Sequence, residues 1–225
     1  MQRTILCYGD SNTWGYVPQN PAEKNLTIQR YPRHIRWPGV LQSLLGEKFY
    51  VVEEGLNSRT TNIDYSIPPD RNGKTYLPSC LYTHAPIDLV ILALGGNDLK
   101  NSFNRTSKEI REGLGELVDI IQDSFYGEAM HCSPKILILP LSKLLPVAQE
   151  LKDDNGVSVF SGAEKKAEEL VQQYADLAQE TNCYFLNIAD SILPSEIDGM
   201  HLDAAAHQKL AEIVSKKIKS IFLEK

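Results

Sequence analysis

Short apolar runs alternate with longer amphipathic stretches along most of the 225-residue chain. A run of about four to eight apolar residues bounded by glycine, proline or polar residues is typical of a buried strand. Longer stretches whose apolar positions recur every three or four residues predict helices that pack on a core. By these criteria the strands lie at 5–8, 49–52, 87–94, 135–139 and 183–187, and the helices lie at 37–45, 76–84, 110–125, 162–181 and beyond Asp203.

The alternation of five strands with helices predicts a three-layer α/β/α fold with a five-stranded parallel sheet, because right-handed crossovers place helices on both faces. The run 87–94 supports this prediction, since it is apolar almost throughout and a strand covered on both faces has that character. No repeat, low-complexity tract or linker interrupts the pattern. We therefore expect residues 1–225 to form a single domain.

Two segments lack a regular pattern and are predicted to be loops. The first, residues 14–36, combines several prolines with aromatic residues such as Trp14 and Tyr16, and prolines at this density interrupt helices and strands. Its aromatic side chains either wall a pocket or pack the loop onto the domain. The second, residues 140–159, is long for a loop inside a compact domain, and such loops are usually functional or mobile.

Polar residues suited to chemistry follow four of the predicted strands. Ser11 follows the first strand, Ser58 the second, Asn97 the third and His201 the fifth. The carboxyl ends of parallel strands meet at one edge of a sheet, where ligands bind in folds of this type. The pattern therefore predicts that these four residues converge on one site.

Ser11 is the candidate nucleophile of this site. It follows Gly9, which permits a sharp turn at the end of the first strand, although a serine in this place can also simply cap a helix. A serine hydroxyl becomes a good nucleophile when a base removes its proton, and the base needs a third group to fix its tautomer. His201 and Asp198, three residues before it, can fill these two roles. The neighbouring Asp203 is instead explained as the cap of the last helix.

Four short blocks resemble the sequence blocks of the GDSL/SGNH hydrolases. Their residues are similar to those of the arylesterase and acyltransferase branch. The blocks occur in the family's order and together span nearly the whole chain. They are Gly-Asp-Ser at 9–11, Gly-Leu-Asn-Ser-Arg-Thr-Thr at 55–61, Gly-Gly-Asn-Asp at 95–98 and Asp-Gly-Met-His at 198–201. The resemblance implies a flavodoxin-like α/β/α fold and a serine esterase with Ser11, His201 and Asp198 as its catalytic residues.

The resemblance also implies an oxyanion hole formed by the backbone N–H groups of Ser11 and Ser58 and by the side-chain amide of Asn97. Ser58 stands where most of the superfamily has glycine, and a positive φ is harder for a serine to hold. Asn57 or Gly55 could therefore carry part of its role.

The implied reaction is cleavage of small acyl esters, such as acetyl esters of aryl or alkyl alcohols, through an acyl-serine intermediate that water resolves. The likeness to the acyltransferase branch adds transfer of the acyl group to another alcohol. The expected substrate-binding residues are Trp14, Asn12 and Asn57. Asn12 replaces the leucine of the family's name and is expected to adjust the shape of the pocket rather than its chemistry.

Two other functions stay open at this point. A carbohydrate O-deacetylase of the same superfamily could use Trp14, Tyr16 or Trp37 to stack on a sugar ring. A non-catalytic flavodoxin-like module could instead bind a phosphate at the glycine turn after the first strand. Such a module would have no use for Asp198 and His201.

Charge and cysteine content narrow the range of partners. The chain has 23 Lys and Arg against 29 Asp and Glu, a formal net charge of −6, which argues against nucleic acid or an anionic membrane as the main partner. The four cysteines show no C-x-x-C spacing, so we expect reduced thiols. A metal site at Asp10, Asp198 and His201 would lack the usual ligand spacing. We expect a small-molecule ester substrate, with no metal and no cofactor.

Two further expectations concern location and assembly. The first strand begins too early to leave room for a signal peptide, and no stretch approaches the roughly 20 apolar residues that cross a bilayer, so we expect a cytoplasmic protein. The resemblance implies that homo-oligomers can form, with loops 14–36 and 140–160 meeting across an interface. His207, within the last predicted helix, is expected to face solvent.

Overall fold

Five parallel strands form one sheet in the computed structural model, which describes residues 2–23 and 27–223. The strands are β1 (Arg3–Gly9), β2 (Phe49–Gly55), β3 (Leu89–Ala93), β4 (Lys135–Ile138) and β5 (Tyr184–Phe185). Their order across the sheet is β2-β1-β3-β4-β5, and each neighbouring pair runs parallel. The predicted α/β fold with a five-stranded parallel sheet is confirmed.

Helices cover both faces of the sheet. They are α1 (Ser11–Trp14), α2 (Trp37–Leu45), α3 (Gly73–His84), α4 (Ser107–Gln122), α5 (Ala163–Glu180) and α6 (Ala204–Leu223). Alternate residues of β1 point to opposite faces, as strand geometry requires. Ile5 and Cys7 join one core cluster with α2 and α6, whereas Leu6 and Tyr8 join the other with α3, α4 and α5.

Two helices begin at capping side chains, of which Asp203 was predicted. Thr106 caps α4, and its side chain exchanges hydrogen bonds with Glu109 in a capping box. The Asp203 carboxylate accepts a hydrogen bond from Ala206 N at 2.8 Å at the start of α6. This second cap matters for the site, because α6 begins immediately after the segment that carries His201.

The fifth strand is shorter than predicted. It pairs only at Tyr184–Phe185, at the edge of the sheet against β4. One further hydrogen bond joins Leu186 N to Ile138 O at 3.2 Å, and the Asn187 side chain then accepts from Ala189 N at 3.0 Å. This local turn is an alternative to continued strand pairing, since short polar side chains satisfy nearby backbone groups.

The segment after β4 is irregular, as predicted, apart from a 3₁₀ turn at Pro146–Glu150. A similar short turn, Asn97–Leu99, follows β3. Among the described residues, no helix combines the length and the apolar character needed to cross a membrane.

The expectation that His207 faces solvent is wrong, because the side chain is fully buried. Trp37 N donates to His207 Nδ1 at 3.3 Å, so the neutral imidazole carries its hydrogen on Nε2. The ring also meets Tyr31 edge-on, with centroids 5.4 Å apart. Burial lowers the pKa of His207 to about 4.

A buried arginine ties together the strand ends that lead to the site. Arg59 is 2% exposed, and its guanidinium lies 4.1 Å from the centroid of the Tyr8 ring. It donates to the backbone oxygens of Gly9, at 3.0 Å, and of Glu54. Gly9 is the last residue of β1 and Glu54 the second-last residue of β2, so this one side chain joins the carboxyl ends of both strands.

A second buried charge supports the turn after β3. The Asp98 carboxylate is inaccessible to solvent and accepts hydrogen bonds from Thr61 N, from Thr61 Oγ1 at 2.6 Å and from Arg105 Nη1 at 2.6 Å. Burial raises the pKa of the Asp98 carboxyl, and these partners oppose the rise. The network joins the segment after β2 to the residue next to Asn97.

Candidate active site

Ser11 begins a single helical turn that packs very closely on the sheet. A Cβ at Gly9 would lie 2.1 Å from Thr13 Oγ1, and a Cβ at Gly55 would lie 2.1 Å from Trp14 N. Gly9 does not have the positive φ of a left-handed turn. Glycine is therefore required here for the close approach of α1 rather than for the sharp turn that the sequence suggested.

Asp10 holds the start of this turn. Its carboxylate accepts a hydrogen bond from Asn12 N at 3.0 Å, the pattern of a helix N-cap. Burial raises the pKa of the Asp10 carboxyl. Asp10 therefore serves the backbone of the turn.

The structure brings Ser11, His201 and Asp198 together. Ser11 Oγ lies 3.0 Å from His201 Nε2, and His201 Nδ1 lies 2.7 Å from Asp198 Oδ2. Ser11 and Asp198 are largely buried, at 8% and 2% exposed. Side chains from residue 11 and from residues 198–201 thus form one continuous hydrogen-bonded series at the carboxyl edge of the sheet.

The Asp198 carboxylate has a second task, which is to shape its own loop. Asp198 Oδ1 accepts hydrogen bonds from Met200 N at 3.0 Å and from His201 N at 2.9 Å. Burial works against ionisation of Asp198, but the hydrogen bonds and charge of His201 outweigh it and lower the pKa of the carboxyl. The carboxylate is therefore held in its charged form beside the imidazole.

Tyr16 lies against the imidazole of His201. The two rings stack with centroids 4.4 Å apart and planes inclined by 29°. Of the two possibilities for the aromatic residues of loop 14–36, Tyr16 takes the first, because it lines the cavity above Ser11.

Asn97 and Ser58 also lie at this edge. Asn97 follows Gly95, whose φ of 115° favours glycine, and its side-chain amide donates to Arg59 O at 3.1 Å. Ser58 adopts the positive φ of 66° that serine holds at a cost. Among the described residues, no acceptor is bonded to the Ser58 backbone N–H. Both residues line the same cavity as Ser11 and His201.

The cavity in front of Ser11 has a volume of about 230 Å³. One wall is apolar and comes mainly from the segment after β4, with Leu141, Leu144, Leu151, Phe160 and Met200 as its members. Lys100 lies on the polar side, where its ammonium donates to Tyr65 Oη at 2.6 Å. Burial lowers the pKa of the Lys100 ammonium to about 8.

The sequence interpretation missed Lys100, which lines the cavity, and Tyr65, which holds the Lys100 ammonium. Lys100 is only three residues beyond Asn97, which is the sequence signal that it shares the same turn. Tyr65 carries no such signal, because its position depends on how residues 62–72 fold back between β2 and α3.

Of the three expected substrate-binding residues, Asn57 and Asn12 line the cavity and Trp14 does not. Asn57 lines the cavity, and its buried Oδ1 has no hydrogen-bond partner among the described residues. Asn12 lines it too, but its amide bonds to the backbone on both sides of His201. Trp14 does not contribute to the cavity wall; Arg30 lies 4.8 Å from its ring and bonds to its backbone oxygen.

Trp37 does not reach the cavity in front of Ser11 either. It is 1% exposed and borders a separate cavity of about 40 Å³ behind the site. The suggestion that Trp37 stacks on a sugar ring is therefore wrong, since the start of α2 buries the indole in the core.

One group of metal-ligand types lies elsewhere in the described part of the chain. Glu54, Cys80 and His84 place their ligand atoms within 4.8 Å of one another. His84 Nε2 lies 2.8 Å from Glu54 Oε1, and burial raises the pKa of the Cys80 thiol to about 12. The arrangement is that of a histidine–glutamate pair beside a protonated thiol.

A serine, a histidine and an aspartate joined in this order, at the carboxyl edge of a parallel sheet, place the chain among α/β enzymes of the hydrolase class. A model of the GDSL-like lipase/acylhydrolase family matches residues 7–209. The chain belongs to this family.

Solved structures of similar sequence agree with this assignment. The native aryl esterase of M. smegmatis is 37% identical, with a TM-score of 0.87 over 97% of this chain and 99% of that one. Est24, a carbohydrate acetylesterase from Sinorhizobium meliloti, is 35% identical, with a TM-score of 0.88 over 98% and 100%. A putative arylesterase from Agrobacterium tumefaciens is 31% identical, with a TM-score of 0.83 over 98% and 100%.

An acetylxylan esterase of Xylanibacter ruminicola is 24% identical over an alignment of 226 positions, which covers 96% of this chain. The chain spans only 43% of the length of that relative.

Proposed function

We propose that the chain is a serine carboxylic-ester hydrolase that cleaves small acyl esters through an acyl-serine intermediate. The observation that carries the proposal is the pair of contacts at His201, 3.0 Å to Ser11 Oγ and 2.7 Å to Asp198 Oδ2. Both lie within the reach that proton transfer from a nucleophile to an oriented base requires.

In the proposed mechanism His201 takes the proton of Ser11 as Oγ attacks the ester carbonyl, and then gives it to the leaving alcohol. In the second half of the reaction, His201 takes a proton from water as the water attacks the acyl-serine carbonyl. It then returns this proton to Ser11 Oγ as the acid leaves. Asp198 fixes the tautomer of His201 and stabilises the imidazolium without taking the proton. Its lowered pKa supports this role, because the carboxylate stays charged while the imidazolium forms.

The proposed oxyanion hole consists of the N–H groups of Ser11 and Ser58 and the amide of Asn97. Two observations support this assignment: the Ser58 N–H has no acceptor in the described part of the chain, and Asn97 lies on the same cavity. A single donor of this kind is worth about 3 kcal/mol of transition-state stabilisation.

The shape of the cavity favours a short acyl chain. Its volume of about 230 Å³ has to hold the acyl group together with part of the alcohol. The apolar wall from Leu141 to Phe160 suits the acyl group, whereas the opposite side offers the polar groups of Asn57 and Lys100. An apolar wall beside the acyl-serine also favours transfer to an alcohol when it keeps water away.

A carbohydrate O-deacetylase is the second candidate. It is favoured by the similarity to Est24, described as a carbohydrate acetylesterase, and to an acetylxylan esterase. Tyr16 is the aromatic residue that lines the cavity and could meet a sugar ring. Measuring turnover of acetylated xylose and of 4-nitrophenyl acetate distinguishes the two candidate functions. Hydrolysis of the aryl ester alone would exclude the carbohydrate O-deacetylase.

The primary test combines Ser11→Ala with a phosphonate reagent. We expect the variant to lose at least about 10⁴-fold in kcat/KM on 4-nitrophenyl acetate, because only the oxyanion donors and binding remain. Mass spectrometry is expected to find one phosphonyl adduct on Ser11 of the wild type.

Ser142→Ala is the matched control, since Ser142 is buried and lines the same cavity. It should keep most of the activity. An active Ser11→Ala variant, or an adduct on a serine other than Ser11, would refute the proposed mechanism.

A further inference from the structure

We propose that Asn12 is a positioning residue that fixes the His201 loop against the turn carrying Ser11; this inference rests on the function proposed above. The side-chain amide of Asn12 binds the backbone on both sides of His201. Its Nδ2 donates to Met200 O at 3.2 Å, and its Oδ1 accepts from Leu202 N at 2.9 Å.

The two hydrogen bonds from the Asn12 amide add to others that already hold the backbone of this loop. Asp198 already accepts from the N–H groups of Met200 and His201, and His201 O accepts from Ser195 N at 2.8 Å. With the bonds from Asn12, the backbone polar groups from Met200 N to Leu202 N all have partners. The loop therefore has little freedom to move His201 away from Ser11.

Asn12 itself is held firmly enough to transmit this constraint. Its backbone N–H donates to Asp10 Oδ1 at 3.0 Å in the turn after β1. Asn12 also follows Ser11 directly in the chain, so the nucleophile and the loop of the base are joined through one residue. This link spans 190 positions of sequence.

A role in binding substrate is a weaker explanation of these contacts. The amide oxygen accepts from Leu202 N and one amide hydrogen is donated to Met200 O, so among the described residues a single amide hydrogen of Asn12 has no acceptor. The placement of His201 relative to Ser11 affects the reaction more than this one N–H does, since a misplacement of about 1 Å between catalytic groups can reduce the rate about 100-fold.

Asn12→Leu is the decisive variant, because leucine has a similar size and no polar atoms. We expect kcat on 4-nitrophenyl acetate to fall about 10- to 100-fold while KM stays unchanged. We also expect slower phosphonylation of Ser11, because that reaction needs His201 in place but no substrate alcohol.

Gln42→Leu is the matched control, because it removes a side-chain amide that also donates to one backbone oxygen and accepts from one backbone N–H, but far from the site. The Gln42 amide donates to Phe49 O at 2.9 Å and accepts from Val51 N at 2.8 Å. We expect it to lower stability and leave kcat unchanged. Proportional losses of kcat and stability in both variants would contradict the proposal, as would a rise in KM alone for Asn12→Leu.

Asn12→Asp decides the question if the leucine variant does not fold. The carboxylate fits the same space and still accepts from Leu202 N–H, but it cannot donate to Met200 O. A reduced kcat supports the positioning role and a wild-type kcat refutes it. The Ser11→Ala result is separate: if that variant is inactive and both Asn12 variants have wild-type kcat, only the present inference fails.

Discussion

Serine at position 58 adopts a backbone conformation that favours glycine. Ser58 holds a φ of 66°, a conformation that costs an ordinary residue roughly 1–2 kcal/mol. Ser58 lines the cavity together with Lys100, whose ammonium donates to Tyr65 Oη at 2.6 Å. Among the described residues no acceptor is bonded to the Ser58 N–H, which is the group that the proposed oxyanion hole uses.

Replacing Ser58 by glycine tests whether the N–H or the hydroxyl matters. We expect Ser58→Gly and Ser58→Ala to keep most of kcat, because both retain the backbone N–H. Loss of an oxyanion donor would instead cost about 10²–10³-fold. Steady-state kinetics on 4-nitrophenyl acetate measure the difference, and a loss of that size in both variants would assign the contact to the hydroxyl.

At the scale of elements, the turn after β3 depends on charge buried beneath it. Asp98 and Arg105 form an ion pair of 2.6 Å with side chains 0% and 10% exposed. Thr61 contributes two further donors to the carboxylate. The turn that carries Asn97 is thereby joined to the segment after β2 and to the start of α4.

We expect Asp98→Ala to lower the free energy of unfolding by about 3–5 kcal/mol, because it leaves the Arg105 guanidinium buried without its carboxylate. Urea denaturation measures the change. Asp190→Ala is the control: Asp190 pairs with Lys143 at 2.6 Å, but its side chain is 76% exposed, so about 1 kcal/mol or less is expected. Equal losses in the two variants would contradict the argument.

Much of the fold could be predicted because each element carries its own pattern. The apolar strands and amphipathic helices appear within a few residues of their predicted limits, and Ser11, Asp198 and His201 meet because parallel strands end at one edge. The positions of the Trp14, Asn12 and Tyr65 side chains depend instead on contacts with other segments of the chain, which no local pattern encodes.

His207 is a different kind of error, since its signal was present. It lies three and four residues before Leu210 and Ala211, on the buried stripe of α6. Helical spacing alone places it toward the core, and its polarity suggested otherwise.

At the scale of the whole molecule, buried His207 couples stability to pH. Its pKa is about 4 in the folded chain and about 6.5 when unfolded. Between these values the unfolded chain binds a proton that the folded chain does not, so stability falls as pH is lowered through this window. The loss attributable to His207 is about 3 kcal/mol in total.

His207→Gln removes this titration. We expect the difference in unfolding free energy between wild type and variant to shrink by that amount from pH 6.5 to pH 4, as measured by urea denaturation at several pH values. The lowered pKa of Asp198 acts below its unfolded value of about 3.9, outside most of this window. Parallel stability curves for the two proteins would show that His207 does not titrate as described.

The distance in sequence between Ser11 and His201, 190 positions, has a consequence for biosynthesis. A ribosome releases the amino-terminal strands long before residue 201 leaves the exit tunnel. A nascent chain that stops before residue 201 therefore holds Ser11 without its partner imidazole, and the hydrogen-bonded series at the site can form only after residue 201 has left the tunnel.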